Sequence, residues 1–270
     1  MSDAELLAGY IATWKRACAD FIALGRSLTP EELELETDLQ GWDVFDNIAH
    51  TAHLEHVLAT GEEDTVPVDT APHIKSLTGM YTEQGVVARR GRGIASLLDE
   101  LEAAVAKRSA MLDADPPTDG AAPAPRTPGG VPWSNETLLG NRPLDIWMHE
   151  QDIRRAIGRP GGFDSPAAAH SIRRLARGLP LVLGKRVAPP AGTSVRIDIT
   201  DAEASFGVIV GDDGRAKFAV LDGPTARLTM SAETFIILAG GRRAPDRVEV
   251  GVEGDETLAK DVLTNIAITP

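Results

Sequence analysis

The 270-residue chain holds one cysteine, Cys18, so no disulfide can form within it. A reducing compartment, the cytoplasm, is the expected setting. Positive charge is also short: 27 lysines and arginines stand against 40 aspartates and glutamates, a net charge of −13. Without a concentrated basic patch, that balance excludes a generic binder of nucleic-acid backbones. No run of about 18 apolar residues occurs, so no membrane-spanning helix is expected. The opening MSDAELLAGY lacks the basic start and apolar stretch of a secretory leader, and none is expected. No Gly-x-Ser-x-Gly elbow exists to support serine-hydrolase chemistry.

What is present is a strong helical period in the first two thirds. Residues 3–26 place Leu7, Tyr10, Ile11, Trp14, Cys18 and Phe21 at spacings of three and four, one apolar stripe. Thr29-Pro30-Glu31-Glu32 reads as a capping box with proline at the first helical position. Asp43 is a good N-cap for a helix over 44–60 that stops at Gly61. A third helical stretch is expected over about 80–112, then a Pro/Gly/Ala-rich loop over 113–132. A fourth helix is expected over 142–157, with Pro143 in its first turn, and a fifth from Ser165-Pro166 to Leu183. After Pro189-Pro190 the period changes to two. Strands are expected at 194–199, 206–210, 216–220 and 226–230, with Gly211-Asp212-Asp213-Gly214 as a hairpin turn. Helices over 232–239 and 256–266 and an edge strand at 248–252 complete the pattern. The fold class expected is therefore α followed by α+β: a helical bundle over 1–185 and a smaller α+β domain over 190–270, with the boundary near 185–192. Cys18 falls on the apolar stripe and reads as packing.

Chemistry concentrates in two helices. His50, His53 and His56 cluster in the second. In the fourth, Asp145 and His149 are four residues apart, so both rise from one face a single turn apart. That spacing lets a helix offer two ligands to one ion, and a carboxylate with an imidazole suits zinc or another borderline divalent metal. One histidine from the second helix would complete a three-ligand site between facing helices, leaving an open position. The spacing leaves a bland alternative open, in which the histidines lie on a partly solvated face and Asp145 serves the helix dipole. Asp152, one turn from His149, reads as an ion-pair or orienting residue beside Arg155. Glu55 reads as solvated. Trp42, Trp133 and Trp147 read as core or loop packing.

Two segments carry a resemblance. Trp42-Asp43-Val44-Phe45-Asp46-Asn47-Ile48-Ala49-His50 resembles the first signature of the mycothiol-dependent maleylpyruvate isomerase family, and Arg142–Ile153 with Arg154-Arg155-Ala156-Ile157-Gly158-Arg159-Pro160 resembles its second. Residues 232–242 and 252–255 resemble its C-terminal part. The resemblance implies a DinB-like four-helix bundle followed by a sterol-carrier-like α+β domain. It also implies a zinc site on His50, Asp145 and His149 and mycothiol as thiol cosubstrate. The family usually has glutamate at the position of Asp145, one methylene longer. Its usual glycine and tryptophan are here Glu150 and Gln151.

The implied activity is a metal-dependent enzyme acting on a small molecule with the thiol, by cis–trans isomerisation or by S-transfer. The competing expectation is a non-enzymatic protein that binds a metal and an apolar ligand. An anionic substrate needs a cation in a protein of this charge. Arg242 and Arg243, after the 232–239 helix, are the catalytic expectation, with Arg227 a weaker one. The second domain is expected to close the cleft at the metal. Oligomeric state is left open by the sequence.

Overall fold

A computed structural model describes residues 1–269. The chain divides into two compact units, residues 1–170 and 171–270. The first holds α1 (Asp3–Arg26), α2 (Pro30–Leu33), α3 (Val44–Thr60), α4 (Leu77–Val87), α5 (Ile94–Ala114) and α6 (Asn135–Ala156). Helix α7 (Pro166–Ala176) carries the chain across the division, and α8 (Leu179–Leu181) runs into a π-helical turn, Val182–Val187. The second unit adds β1 (Ser194–Ile199), β2 (Ala204–Val210), β3 (Ala216–Phe218), β4 (Ala226–Met230), α9 (Ala232–Ala239), β5 (Gly251–Gly254) and α10 (Glu256–Asn265). The division at 170/171 thus precedes the change of period at Pro189-Pro190.

Local chemistry explains the helix ends. Ser2 and Thr29 form reciprocal capping boxes with Glu5 and Glu32. The Asp43 carboxylate accepts from the backbone N–H of Asp46, and α3 ends where Gly61 takes φ 79°. The single helix expected over 80–112 is two, because residues 88–93 (ARRGRG) break it and Gly91 turns at φ 81°. Helix α6 starts seven residues before the expected 142. Ser134 caps it through Thr137, and Pro143 lies buried in mid-helix rather than in the first turn. The fifth helix stops at Ala176 rather than Leu183.

Helices α1, α3, α5 and α6 form the four-helix core of the first unit. Helix α1 packs on α5 and α6, and α3 packs on the same two helices. Buried Leu7, Trp14 and Phe21 of α1, Ile48 of α3, Leu97, Leu98 and Leu101 of α5, and Ile146 and Trp147 of α6 fill the interior. Helix α4 lies against α3.

The second unit is a mixed five-stranded sheet of order β3-β2-β1-β4-β5, in which β1 and β4 are parallel and the other pairs antiparallel. Val195, Ile197, Ile199, Leu228 and Met230 alternate onto its buried face, as the period of two dictates. Helix α10 packs on β4 and β5, and Phe235 of α9 stacks on Phe206 with ring centroids 6.2 Å apart. Between sheet and helices, a cavity bordered by Val182, Leu183, Val195, Ile197, Phe206 and Val262 measures about 10 Å³.

Helix α4 approaches α3 so closely at Gly85 that a Cβ there would sit 2.1 Å from Cγ of His53. Gly85→Ala must therefore displace a buried ring, and overpacking of this kind costs about 1–3 kcal/mol. Urea denaturation should show that loss, while Gly9→Ala, with nothing within 4 Å of the new Cβ, should not.

Candidate metal centre

The crossing of α3 and α6 brings His50, Asp145 and His149 together. One ligand atom from each lies within 4.8 Å of the other two, and these three are the one such group of His, Cys, Asp and Glu among the described residues. His50 Nε2 is 3.6 Å from Asp145 Oδ2, and His149 Nε2 is 3.6 Å from Asp145 Oδ1. The two imidazole rings meet edge to face at 4.7 Å. Ligands held tetrahedrally around zinc stand about 3.3 Å apart, so each histidine-to-carboxylate contact at 3.6 Å is within a few tenths of an ångström of that spacing. Two nitrogens and one carboxylate oxygen are a donor set suited to zinc, and three protein ligands leave a position open. The imidazoles are almost wholly buried, with side-chain exposures of 5% and 7%, whereas Asp145 keeps 31%. Solvent therefore reaches the group on the carboxylate side.

Electrostatics prepares each member. Burial lowers the His50 pKa to about 4, against a smaller opposing pull from Asp145, so the ring is neutral at physiological pH with its lone pair available. Burial also pushes the Asp145 carboxyl up, but the Arg142 guanidinium, together with the two neighbouring imidazoles, holds it well below the usual carboxylate range. Arg142 Nη1 donates to Asp145 Oδ2 at 2.8 Å.

Arg142 is itself held by Glu55. This residue, expected from the sequence to be solvated, has no exposed surface at all. Its Oε1 accepts from Arg142 Nε at 2.9 Å and from Trp14 Nε1 at 3.1 Å, and its Oε2 accepts from Arg108 Nη1 at 2.9 Å. Arg108 also stacks over the Trp14 ring at 4.6 Å. The expectation fails because the helical pattern alone does not show that two arginines from other helices converge on this turn.

The remaining candidates lie elsewhere. His53 Nδ1 meets Asp64 at 2.8 Å, and burial lowers its pKa to about 4. His56 lies 3.6 Å from both Glu62 and Glu100. Asp152 is bound by Arg155, and its Oδ2 is 3.6 Å from His149 Nδ1. Trp42 is more than packing. Its ring lies 5.0 Å from His50 and 6.0 Å from His149, and its indole N–H donates to buried Glu83 at 2.7 Å. Asn47, unremarked in the sequence, bonds His149 Nδ1 through its Oδ1 at 2.8 Å. Its position three residues before His50, on the same helix face, is the one signal that could have found it. In the second unit, Arg242 Nη1 donates to the Gly240 carbonyl at 2.7 Å, and Arg243 is exposed. Cys18 is buried, and burial raises its thiol pKa well above the ordinary value.

Removing one partner of a buried ion pair costs about 3–5 kcal/mol. Glu55→Gln should lose a stability of that order at neutral pH, measured by urea denaturation. Burial pushes the Glu55 carboxyl up, but the two arginines outweigh it and set its folded pKa below the ordinary 4.5. The carboxylate therefore stabilises the fold above pH 4.5, and that stabilisation fades as pH falls through the lower folded value. The gap between wild type and Glu55→Gln should narrow on the acid side of pH 4.5. A gap independent of pH there would assign Glu55 a different role.

Compared by sequence with curated proteins, the chain finds no match. Among solved structures it is similar to the mycothiol-dependent maleylpyruvate isomerase, with a TM-score of 0.57 and 17% identity over 94% of this chain and 95% of that one. A histidine-to-alanine mutant of that enzyme aligns with a TM-score of 0.54 and 16% identity over the same shares. At such identity the likeness speaks for the fold, helical unit then mixed-sheet unit. The family model described as the mycothiol maleylpyruvate isomerase N-terminal domain matches residues 14–154, just over half of the chain and inclusive of α3, α6 and the His50–Asp145–His149 group. The chain belongs to the mycothiol maleylpyruvate isomerase N-terminal domain family.

Proposed function

We propose that the protein is a divalent-metal-dependent isomerase that uses a low-molecular-weight thiol, mycothiol in the first instance, as cosubstrate, and that it acts in the cytoplasm on a small anionic molecule with a cis double bond. The observation that carries this reading is the convergence of His50, Asp145 and His149, inside the segment matched by the family model. These residues would hold the ion, and zinc fits the donor set best. Such an ion, when bound, lowers the pKa of a neighbouring thiol so that thiolate is available at neutral pH.

The chain's own residues do the rest. Neutral His50 keeps a free lone pair, and Arg142 keeps Asp145 ionised. Trp42 packs beside both imidazole rings. The chain offers no thiol of its own, since Cys18 is buried, so the sulfur arrives as a ligand. Reversible addition of that sulfur to the double bond leaves a single bond free to rotate, and elimination regenerates thiol and trans product. The thiol is not consumed, which separates isomerisation from S-transfer. Arg242 and Arg243 are proposed to pair with the carboxylates of the substrate. The alternative of an apolar-ligand carrier draws little support from a cavity of about 10 Å³ in the second unit, since small-ligand sites occupy about 300–1,000 Å³.

Metal analysis of freshly purified protein should give one zinc per chain, and His50→Ala and His149→Ala should each lose it. With maleylpyruvate and catalytic mycothiol, the loaded wild type should isomerise the substrate with no net loss of thiol. Arg242→Ala and Arg243→Ala should raise KM at unchanged metal content. A wild-type protein without metal, or turnover independent of thiol, overturns the reading, and two arginine variants with wild-type kinetics remove those residues from it.

A further inference from the structure

We infer that Asn47 is a positioning residue that fixes His149 in the Nδ1–H tautomer and so presents Nε2, as a bare lone pair, to Asp145 and to any ion held there. The inference rests on the metal reading of the site for its consequence, but its geometry is independent of it. An asparagine amide can be flipped by half a turn without changing its shape, so its orientation must be decided by its partners.

Here two partners decide it. Asn47 Nδ2 lies 2.8 Å from the backbone carbonyl of Asp43, a group that can only accept. Nδ2 also lies 3.3 Å from Thr37 Oγ1. That hydroxyl spends its single proton on the Trp42 carbonyl at 2.8 Å and so faces Asn47 as an acceptor. A flipped amide would set oxygen against oxygen at both contacts. The NH2 group is therefore on the Asp43 and Thr37 side, and the oxygen faces His149 Nδ1 at 2.8 Å.

An oxygen at that distance requires N–H on Nδ1. The second group near the same nitrogen, Asp152 Oδ2 at 3.6 Å, is also an acceptor. A neutral ring with its proton on Nδ1 has none on Nε2, the nitrogen 3.6 Å from Asp145 Oδ1. Asn47 has no exposed surface, so water does not compete for the bond.

His50 is held differently. Its Nδ1 is buried with no hydrogen-bond partner, and the polar group beside its Nε2 is Asp145 Oδ2 at 3.6 Å. The two imidazoles of the site are thus unequal: His149 is held through its Nδ1 by Asn47, and the Nδ1 of His50 has no such support. The lock also ties His149 to the segment between α2 and α3, through Thr37 and Asp43.

The test uses metal-free full-length protein at mildly alkaline pH, with ring tautomers read by long-range proton–nitrogen NMR and assigned with His149→Gln. Wild-type His149 should carry its proton on Nδ1. Asn47→Leu, similar in size but without the acceptor, should lose that preference, and its zinc affinity by competition titration should fall about 10- to 100-fold. If Asn47→Leu does not fold, the wild-type spectrum still decides, because a proton on His149 Nε2 overturns the inference. Zinc uptake by wild type together with an unchanged tautomer and affinity in Asn47→Leu also overturns it and leaves the metal reading intact. A wild type that takes up no divalent ion, with His149 on Nδ1, overturns the metal reading and leaves the tautomer lock standing.

Discussion

One buried carboxylate holds the first unit together electrostatically. Glu55 of α3 has partners on each of the other three long helices: Trp14 of α1, Arg108 of α5 and Arg142 of α6. A lone carboxylate in that interior would be neutralised or expelled, because desolvating a charge costs several kcal/mol. Two arginines and an indole N–H make it tolerable, and Arg142 passes the surplus charge to Asp145. The four charged groups sum to zero. Directional bonds among four helices also restrict how they can slide, which apolar packing of leucine and alanine alone would do less sharply.

The His50–Asp145–His149 group grows from that constraint. Its acidic member is anchored through Arg142 to Glu55, and one of its imidazoles is anchored through Asn47 to the segment that enters α3. Trp42, on the same segment, lies against both rings and is itself tied to Glu83 on α4. Asp145 and His149 are therefore each placed by a hydrogen-bonded group that has its own fixed partner, while His50 is supported by ring contact with Trp42. A three-ligand metal site, were an ion held here, would need such support, since no fourth protein ligand would help to hold it.

Much of this was legible in the chain. The caps at Ser2, Thr29 and Asp43 and the stop at Gly61 follow from short-range hydrogen bonding, and the structure repeats them. The switch from helical period to alternation located the sheet, because side-chain direction in each element repeats with a fixed spacing. Asp145 and His149 on one turn of α6 were visible for the same reason. Less legible were breaks and starts. The split of α4 from α5 depends on a glycine turn within a run that otherwise favours helix, and the start of α6 at Ser134 hid behind Pro143, which usually marks a first turn and here lies inside the helix.

Sequence by itself determined the helical stripes, the alternating strands, the placing of Asp145 and His149 on one turn of α6 and the acidic balance. Each depends on neighbours within a few residues or on composition. Tertiary structure alone decided that Glu55 is buried rather than solvated and that Trp42 lies beside two imidazoles. It also decided that His50, and neither His53 nor His56, faces α6, and that Asn47 turns its oxygen to His149. All four depend on which helices meet and at what rotation. That is set by the summed packing of the whole bundle, so residues 41 to 102 positions apart come within hydrogen-bond reach.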